Sequence, residues 1–290
     1  MGRYTSLERR LDGWARGLLD RAPSTGWRSW LVEFLVFGVK QAWACVFGGV
    51  MLALIVVTAW VYPDDAALHR NDALVVGAVV IQILMVAFRL ESGRELWVIV
   101  LFHVVGTVME LFKTSAGSWG YEAGGALHLG AVPLYSGFMY AAVGSYMVRM
   151  HRLFDLRFDR YPPVWATCLV AVGVYVNFYT HHYIVDLRYV LFGVIALLWL
   201  RTVMHFRVHR FVLRMPLLLA FFLVAFFIWI AENIATAGGA WVYPDQVDGW
   251  SMVSPMKLGA WFLLMIVSVV LVNLVYPPEE PEEPAQSAVP

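Results

Sequence analysis

The feature that most limits what this chain can fold into is a series of eight apolar runs, each close to the roughly 20 residues that carry a helix across a bilayer. They fall at 41–61, 73–89, 95–112, 131–148, 163–180, 189–204, 215–234 and 257–276. One such run can be the buried helix of a soluble domain, but eight leave nothing polar to cover them. In a bilayer the backbone must satisfy its own hydrogen bonds, so run length selects helices. The expected fold class is all-α: a polytopic membrane protein with eight transmembrane helices. Composition agrees, with 14% charged residues against about 25% in soluble domains. A formal net charge of zero offers no basic surface for nucleic acid. Cys45 and Cys168 lie inside apolar runs and read as small core residues, with no metal site or disulfide implied.

Proline breakers bound the runs, at Pro63, Pro162-Pro163, Pro244, Pro255 and Pro277-Pro278. The first apolar stretch begins near Trp30 and holds Glu33 and Lys40, so 30–40 reads as an interfacial or obliquely entering helix. Basic residues alternate between connections. The leader carries Arg3, Arg9, Arg10, Arg16, Arg21 and Arg28, and the next even connection carries Arg89 and Arg94. Arg149, Arg152, Arg157 and Arg160 follow, then Arg201, Arg207, Arg210 and Arg214. The intervening connections hold only Arg70, Lys113, Arg188 and Lys257. By the positive-inside rule both termini are expected in the cytoplasm. Residues 1–29 lack an apolar core or cleavage signal and read as a retained polar leader, and 277–290 as a disordered acidic tail.

The segment Glu110-Leu-Phe-Lys-Thr-Ser-Ala-Gly-Ser-Trp-Gly-Tyr121 recurs as Glu232-Asn-Ile-Ala-Thr-Ala-Gly-Gly-Ala-Trp-Val-Tyr243. Pro133 and Gly137 continue the register as Pro255 and Gly259, so seven identical pairs share one offset of 122 residues. The same offset pairs Trp43 with Trp165, Ala44 with Ala166 and Asp64 with Asp186. It superposes four runs on four, so the two copies, 30–150 and 151–276, are expected to be parallel repeats about an axis along the membrane normal.

Ionisable groups at membrane depth are costly and point to function. Glu110 and Glu232 end the third and seventh runs near the outer interface and are the first candidates for catalytic acid/base groups. The alternative is a helix-end carboxylate bonded to loop backbone. His182 and Asp186, spaced i and i+4, form a second candidate pair if their connection is helical. Trp119, Tyr121, Trp241 and Tyr243 supply aromatic walls for a substrate, and His181 is a further binding candidate. His205 and His209 sit among arginines and read as interfacial anchors, while His103 and Gln82 read as packing residues. No nucleotide-binding or zincin pattern is present in the sequence, and no cofactor is named by it.

On Glu33-Phe-Leu-Val-Phe-Gly-Val-Lys40-Gln41-Ala, both motif copies and Asn177-Phe-Tyr-Thr-His-His through Arg188, the chain resembles the YoaT-like family of uncharacterised bacterial integral membrane proteins (domain of unknown function 817). The resemblance covers 30–276 and implies a bacterial cell-membrane setting without an activity. Glu232-Asn-Ile-Ala-Thr-Ala-Gly-Gly-Ala-Trp-Val-Tyr, with Gly249 and Pro255, is also similar to the pattern of membrane lycopene cyclase domains, themselves used in duplicate. Those domains follow the proline with paired acids, whereas here Pro255-Met256-Lys257 puts a base there. The function expected is acid/base chemistry on an isoprenoid or other lipid at an extracytoplasmic polar site. The alternatives are transport of a small cation or polar solute, and a structural membrane subunit. Partners are expected to be membrane lipids and a lipid or small-solute substrate.

Overall fold

The computed structural model describes residues 5–21, 25–63, 65–91 and 93–281. Asp64 and the tail after residue 281, both used above, lie outside them. Among the described residues the chain forms ten α-helices. The first five are α1 (Ser6–Arg21), α2 (Trp27–Ala44), α3 (Val46–Val61), α4 (Arg70–Ala87) and α5 (Gly93–Ser115). A two-residue hairpin, β1 (His128–Leu129) and β2 (Val132–Pro133), leads to α6 (Tyr135–Phe154) and strand β3 (Arg157–Asp159). Then come α7 (Val164–Thr180), α8 (Arg188–Trp199), strands β4 (Val203–Arg207) and β5 (Val212–Pro216), α9 (Leu217–Ala237) and α10 (Met256–Asn273). Pro163, Pro216 and Pro255 stand immediately before α7, α9 and α10, where a residue without an N–H costs nothing.

The distribution of side chains is inverted relative to a protein that folds in water. Arg149, Glu33, Glu110 and Glu232 are buried, while Trp60 is 85% exposed and Leu197 79% exposed. Helices α4, α5, α9 and α10 are long and apolar enough to cross a membrane, and α2 with α3 adds a fifth if that bent pair is one span. The bend is 65° and falls at Cys45, just after the stretch that Glu33 and Lys40 mark as an oblique entry. Cys45 itself is exposed at the bend, which corrects its reading as a core residue.

Two further expectations change. The fold is mostly helical but not all-α, because β3, β4 and β5 form an antiparallel sheet in that order. The run 189–204 does not continue as one helix: α8 stops at Trp199, and Val203–Arg207 pairs with both neighbouring strands. Twelve residues of α8 reach only about 18 Å at 1.5 Å per residue. The cause lies in residues 203–216, where β-branched valines and alternation of apolar with basic residues favour a pleated surface over a helix.

Helix α6 is the centre. It touches one apolar cluster built on Phe47, Met51, Leu74 and Tyr135 and a second built on Phe154, Trp199, Phe221 and Ile266. The sheet is stapled to the start of the bundle by buried charges. One oxygen of Glu33 accepts the N–H groups of His209 and Arg210 at 2.9 Å and of Phe211 at 3.3 Å. Lys40 donates to the carbonyls of Val208 (2.6 Å) and Leu153 (3.3 Å). Arg152 pairs with Glu8 of α1 and with Glu95, so α1 is packed onto this sheet end. His205 pairs with Asp159 across the sheet at 2.6 Å. The glutamates of the repeated motif lie at the opposite end of the bundle, where α5 and α9 finish.

Candidate functional site

The repeated motif is a helix stop followed by an extended crossing. Helix α5 ends with Gly117 at φ +70° and α9 with Gly239 at φ +64°, a left-handed conformation that a glycine adopts without strain. The stops are hydrogen-bonded alike: Ser118 N–H reaches the Lys113 carbonyl (2.9 Å) and Ala240 N–H reaches that of Ala235 (3.0 Å). After each turn the chain straightens, and the two copies meet. Gly120 and Val242 exchange N–H···O bonds of 2.9 Å in both directions as an isolated antiparallel bridge. This fixes the Trp and Tyr of each copy over the helix ends.

Both glutamates are buried under this crossing. Glu110 Oε2 accepts Trp119 Nε1–H at 2.8 Å and the Tyr121 hydroxyl at 2.7 Å, and its Oε1 accepts the Tyr140 hydroxyl at 2.7 Å. Glu232 Oε1 accepts the Tyr243 hydroxyl at 2.5 Å, and Oε2 accepts Trp261 Nε1–H at 2.7 Å. The indole on Glu232 thus comes from α10, while the motif's own Trp241 packs on the apolar cluster below. Trp119 and Tyr243 meet edge to face at 6.1 Å, joining the two glutamate shells. Burial and the adjoining carboxylates push both the Tyr121 and Tyr243 phenols well above the usual range, so both remain proton donors to the glutamates.

His182 and Asp186 do not form a pair, because α7 ends at Thr180 and the connection is a turn rather than a helix. Asp186 instead accepts from Asn177 Nδ2 (3.1 Å), the Arg188 N–H (2.9 Å) and Arg188 Nε (2.5 Å). Burial opposes its ionisation, but these donors outweigh it and hold the carboxyl below the usual carboxylate range. The histidines turn toward Lys113, whose Nζ lies 3.1 Å from His182 Nε2 and 3.5 Å from His181 Nε2. The Asn177 carbonyl, 2.8 Å from His181 Nδ1, requires the proton on that nitrogen and leaves Nε2 to accept. Burial, then the Lys113 ammonium and His181, lower the His182 pKa.

Below this roof lies a cavity of about 1070 Å³. Glu110, Glu232, Lys113, Lys257, Tyr121 and Tyr243 line its upper end. Its body is apolar: Cys45, Gly49 and Leu52 on the α2–α3 side face Val224, Phe227 and Ile228 of α9. It reaches Tyr161 and Asn273 near the sheet, which are bonded to each other at 2.6 Å. Among the sequence candidates, Trp119, Trp241 and His181 also line it. Tyr140, Trp261, Lys113 and Lys257 were not among those candidates. Lys113 carried a signal, one turn beyond Glu110, whereas Tyr140 and Trp261 come from other helices that no local spacing connects to the motif.

A crystal structure described as that of a cross-linked MvINS trimer matches with a TM-score of 0.46 and 14% identity, over 64% of this chain and 95% of that one. Likeness at this level carries no argument. The uncharacterized protein YoaT of Bacillus subtilis (strain 168) is 43% identical over 240 residues, covering 83% of this chain and 90% of that protein. Neither match bears on the cyclase pattern. The family model described as protein of unknown function (DUF817) matches residues 33–269, and the chain belongs to that family.

Proposed function

We propose that this protein is a multi-pass protein of the bacterial cell membrane that admits a lipid or isoprenoid into its cavity. Glu110 and Glu232 then act on it as acid and base. The observation that carries this reading is the apolar cavity closed at one end by two carboxylates whose hydrogen bonds, among the described residues, come from neutral phenol and indole donors. Such donors orient a carboxylate without neutralising it, and leave it able to take or give a proton. Trp119, Tyr121, Trp241 and Tyr243 form the aromatic wall, and His181 and His182 hold Lys113 in place.

The reading includes eight passes in two parallel repeats, 30–150 and 151–276, between a cytoplasmic leader (1–29) and tail (277–290). The bridge between Gly120 and Val242 supports it, because residues 122 apart that pair antiparallel with themselves sit where a two-fold axis would pass. The equivalent helix stops and the matched tyrosine-to-glutamate bonds support it too. Short as it is, α8 leads from the turn held by Lys113 at the end of α5 to a strand paired with β3 at the end of α6.

Glu→Gln tests the charge alone. At Glu232 the amide oxygen can face Trp261, which only donates, while the amide nitrogen donates to Tyr243. At Glu110 the oxygen faces Trp119 and Tyr121, and the nitrogen donates to Tyr140. Both variants are expected to reach wild-type abundance yet fail to restore the lipid profile of a deletion strain. If both restore it, the glutamates are helix-end acceptors and the acid/base reading is wrong. A second reading, transport of a small cation or polar solute, draws on the length of the cavity, which runs from the glutamates to the sheet end. Uptake lost in both variants with an unchanged lipid profile would favour it.

A further inference from the structure

The cavity roof holds two cations that form no direct ion pair among the described residues. Lys113 is buried, 5% exposed, and its ammonium meets two imidazole nitrogens and the face of Phe178 at 5.6 Å. Lys257 rests on the faces of Tyr243 (4.1 Å) and Trp119 (5.6 Å). Among the described residues no carboxylate lies within 4.0 Å of either ammonium. Glu232 and Asp245 attract Lys257, and Asp186 attracts Lys113, only from beyond pairing distance, while Glu110 and Glu232 bind phenols and indoles and Asp186 pairs with Arg188. Lys113, buried, and Lys257, half-buried, are given π faces and neutral nitrogens among the described residues, and so lack the strong acceptor that ordinarily offsets an ammonium's desolvation. Both lysines line one cavity whose body between α2–α3 and α9 is apolar.

We propose that the ligand is a phosphate ester carried on a long hydrocarbon chain, with its anionic head between Lys113 and Lys257 and its chain in the apolar body between α2–α3 and α9. This rests on the reading of the cavity as a lipid site and adds the head group. Phosphate suits the place because its several acceptor oxygens can take both ammoniums at once, as a neutral ester or alcohol cannot. The chain accounts for the apolar body, which a free phosphate would leave empty.

Cys45 lines the same cavity and is exposed, so it reports occupancy. Full-length Cys168→Ser protein in detergent is treated with a maleimide, and the modification rate of Cys45 is followed against added dioleoyl phosphatidic acid, dioleoylglycerol or inorganic phosphate. Phosphatidic acid is expected to slow modification, and Lys257→Gln to raise the concentration required about tenfold, the scale of one charge-assisted hydrogen bond. Lys113→Arg keeps the charge and is expected to retain protection, which guards against a loss caused by misfolding. Displacement of phosphatidic acid by inorganic phosphate supports the lysine contact. Equal protection by dioleoylglycerol, or an unchanged response in Lys257→Gln, overturns the anionic head while sparing the lipid cavity. Failure of every lipid to slow modification overturns both.

Discussion

Gly106 stands where α5 packs on α6, and a side chain there has no room. A Cβ at this position would lie 2.4 Å from Cγ, 2.6 Å from Cδ2 and 2.7 Å from Cβ of Tyr140, far inside the ~3.5–4.0 Å at which carbons attract. The obstructing atoms are the root of a ring, not a flexible end, so one helix must move. The same tyrosine reaches Glu110, one turn along from Gly106. Gly106→Ala gains about 1 kcal/mol of helix propensity, against about 1–3 kcal/mol for overpacking and about 1.5–3 kcal/mol for a hydrogen bond to a charged group. The net expectation is a loss of about 1.5–5 kcal/mol on those scales. Unfolding of the purified protein by SDS titration measures it. Gly38, with nothing within 4 Å of its added Cβ, is the control, and Gly38→Ala should be neutral or slightly stabilising. In a Tyr140→Ala background, which removes Cγ and Cδ2 but keeps the Cβ at 2.7 Å, Gly106→Ala should cost clearly less. Equal behaviour of the two glycine variants, or an undiminished loss in that background, would refute the steric argument.

Gly117→Ala and Gly239→Ala force a left-handed φ on an L side chain and should each cost about 1–2 kcal/mol, read in the same titration, with Asn better tolerated than Ala at both sites. The lowered His182 pKa means that the unfolded chain binds its proton more readily. Its contribution to stability is therefore present above pH about 6.5 and is lost as pH falls below it; His182→Gln should flatten the stability profile in that window. Reporter fusions after residues 125 and 247 should appear outside the cell and one after 155 inside, and an inside signal at 125 would overturn the orientation.

What the sequence discloses and what it hides divide along the range of the interaction. Helix ends are local: of the proline breakers, Pro163 and Pro255 do stand immediately before helices, and the motif glycines Gly117 and Gly239 close α5 and α9. Glu33 and Lys40 marked an irregular entry, and the bend at Cys45 follows them. The sheet was hidden because an apolar run ending in alternating valines fits a helix end or a strand equally well until β3, over 40 residues away, is there to pair. The i,i+4 reasoning at His182 and Asp186 failed because a spacing has meaning only once the segment is known to be helical. Tyr140, 30 residues from Glu110, and Trp261, 29 from Glu232, are partners that only the packing of helices brings in.

The arrangement of charge in the roof has a consequence beyond any single residue. Two glutamates and two lysines line one cavity wall, and the simplest way to lower their desolvation cost would be to pair them. They are kept apart instead. The carboxylates bind phenols and indoles, and the ammoniums lie on π faces and imidazoles. A direct pair would spend each charge on the other and hold both side chains in one geometry. Neutral partners orient each group while leaving much of its charge available to something that enters the cavity. The tyrosines serve this especially well, since a hydroxyl can donate to a carboxylate and, after rotation, accept from a protonated one. Glu110, with three donors, is the more fully satisfied, and Glu232, with two, keeps more acceptor capacity. Glu232 is also the one whose tyrosine carries Lys257 on its face. Under the proposed acid/base function, Glu232 would therefore be the more readily protonated partner of a ligand, with Glu110 the more firmly held of the two.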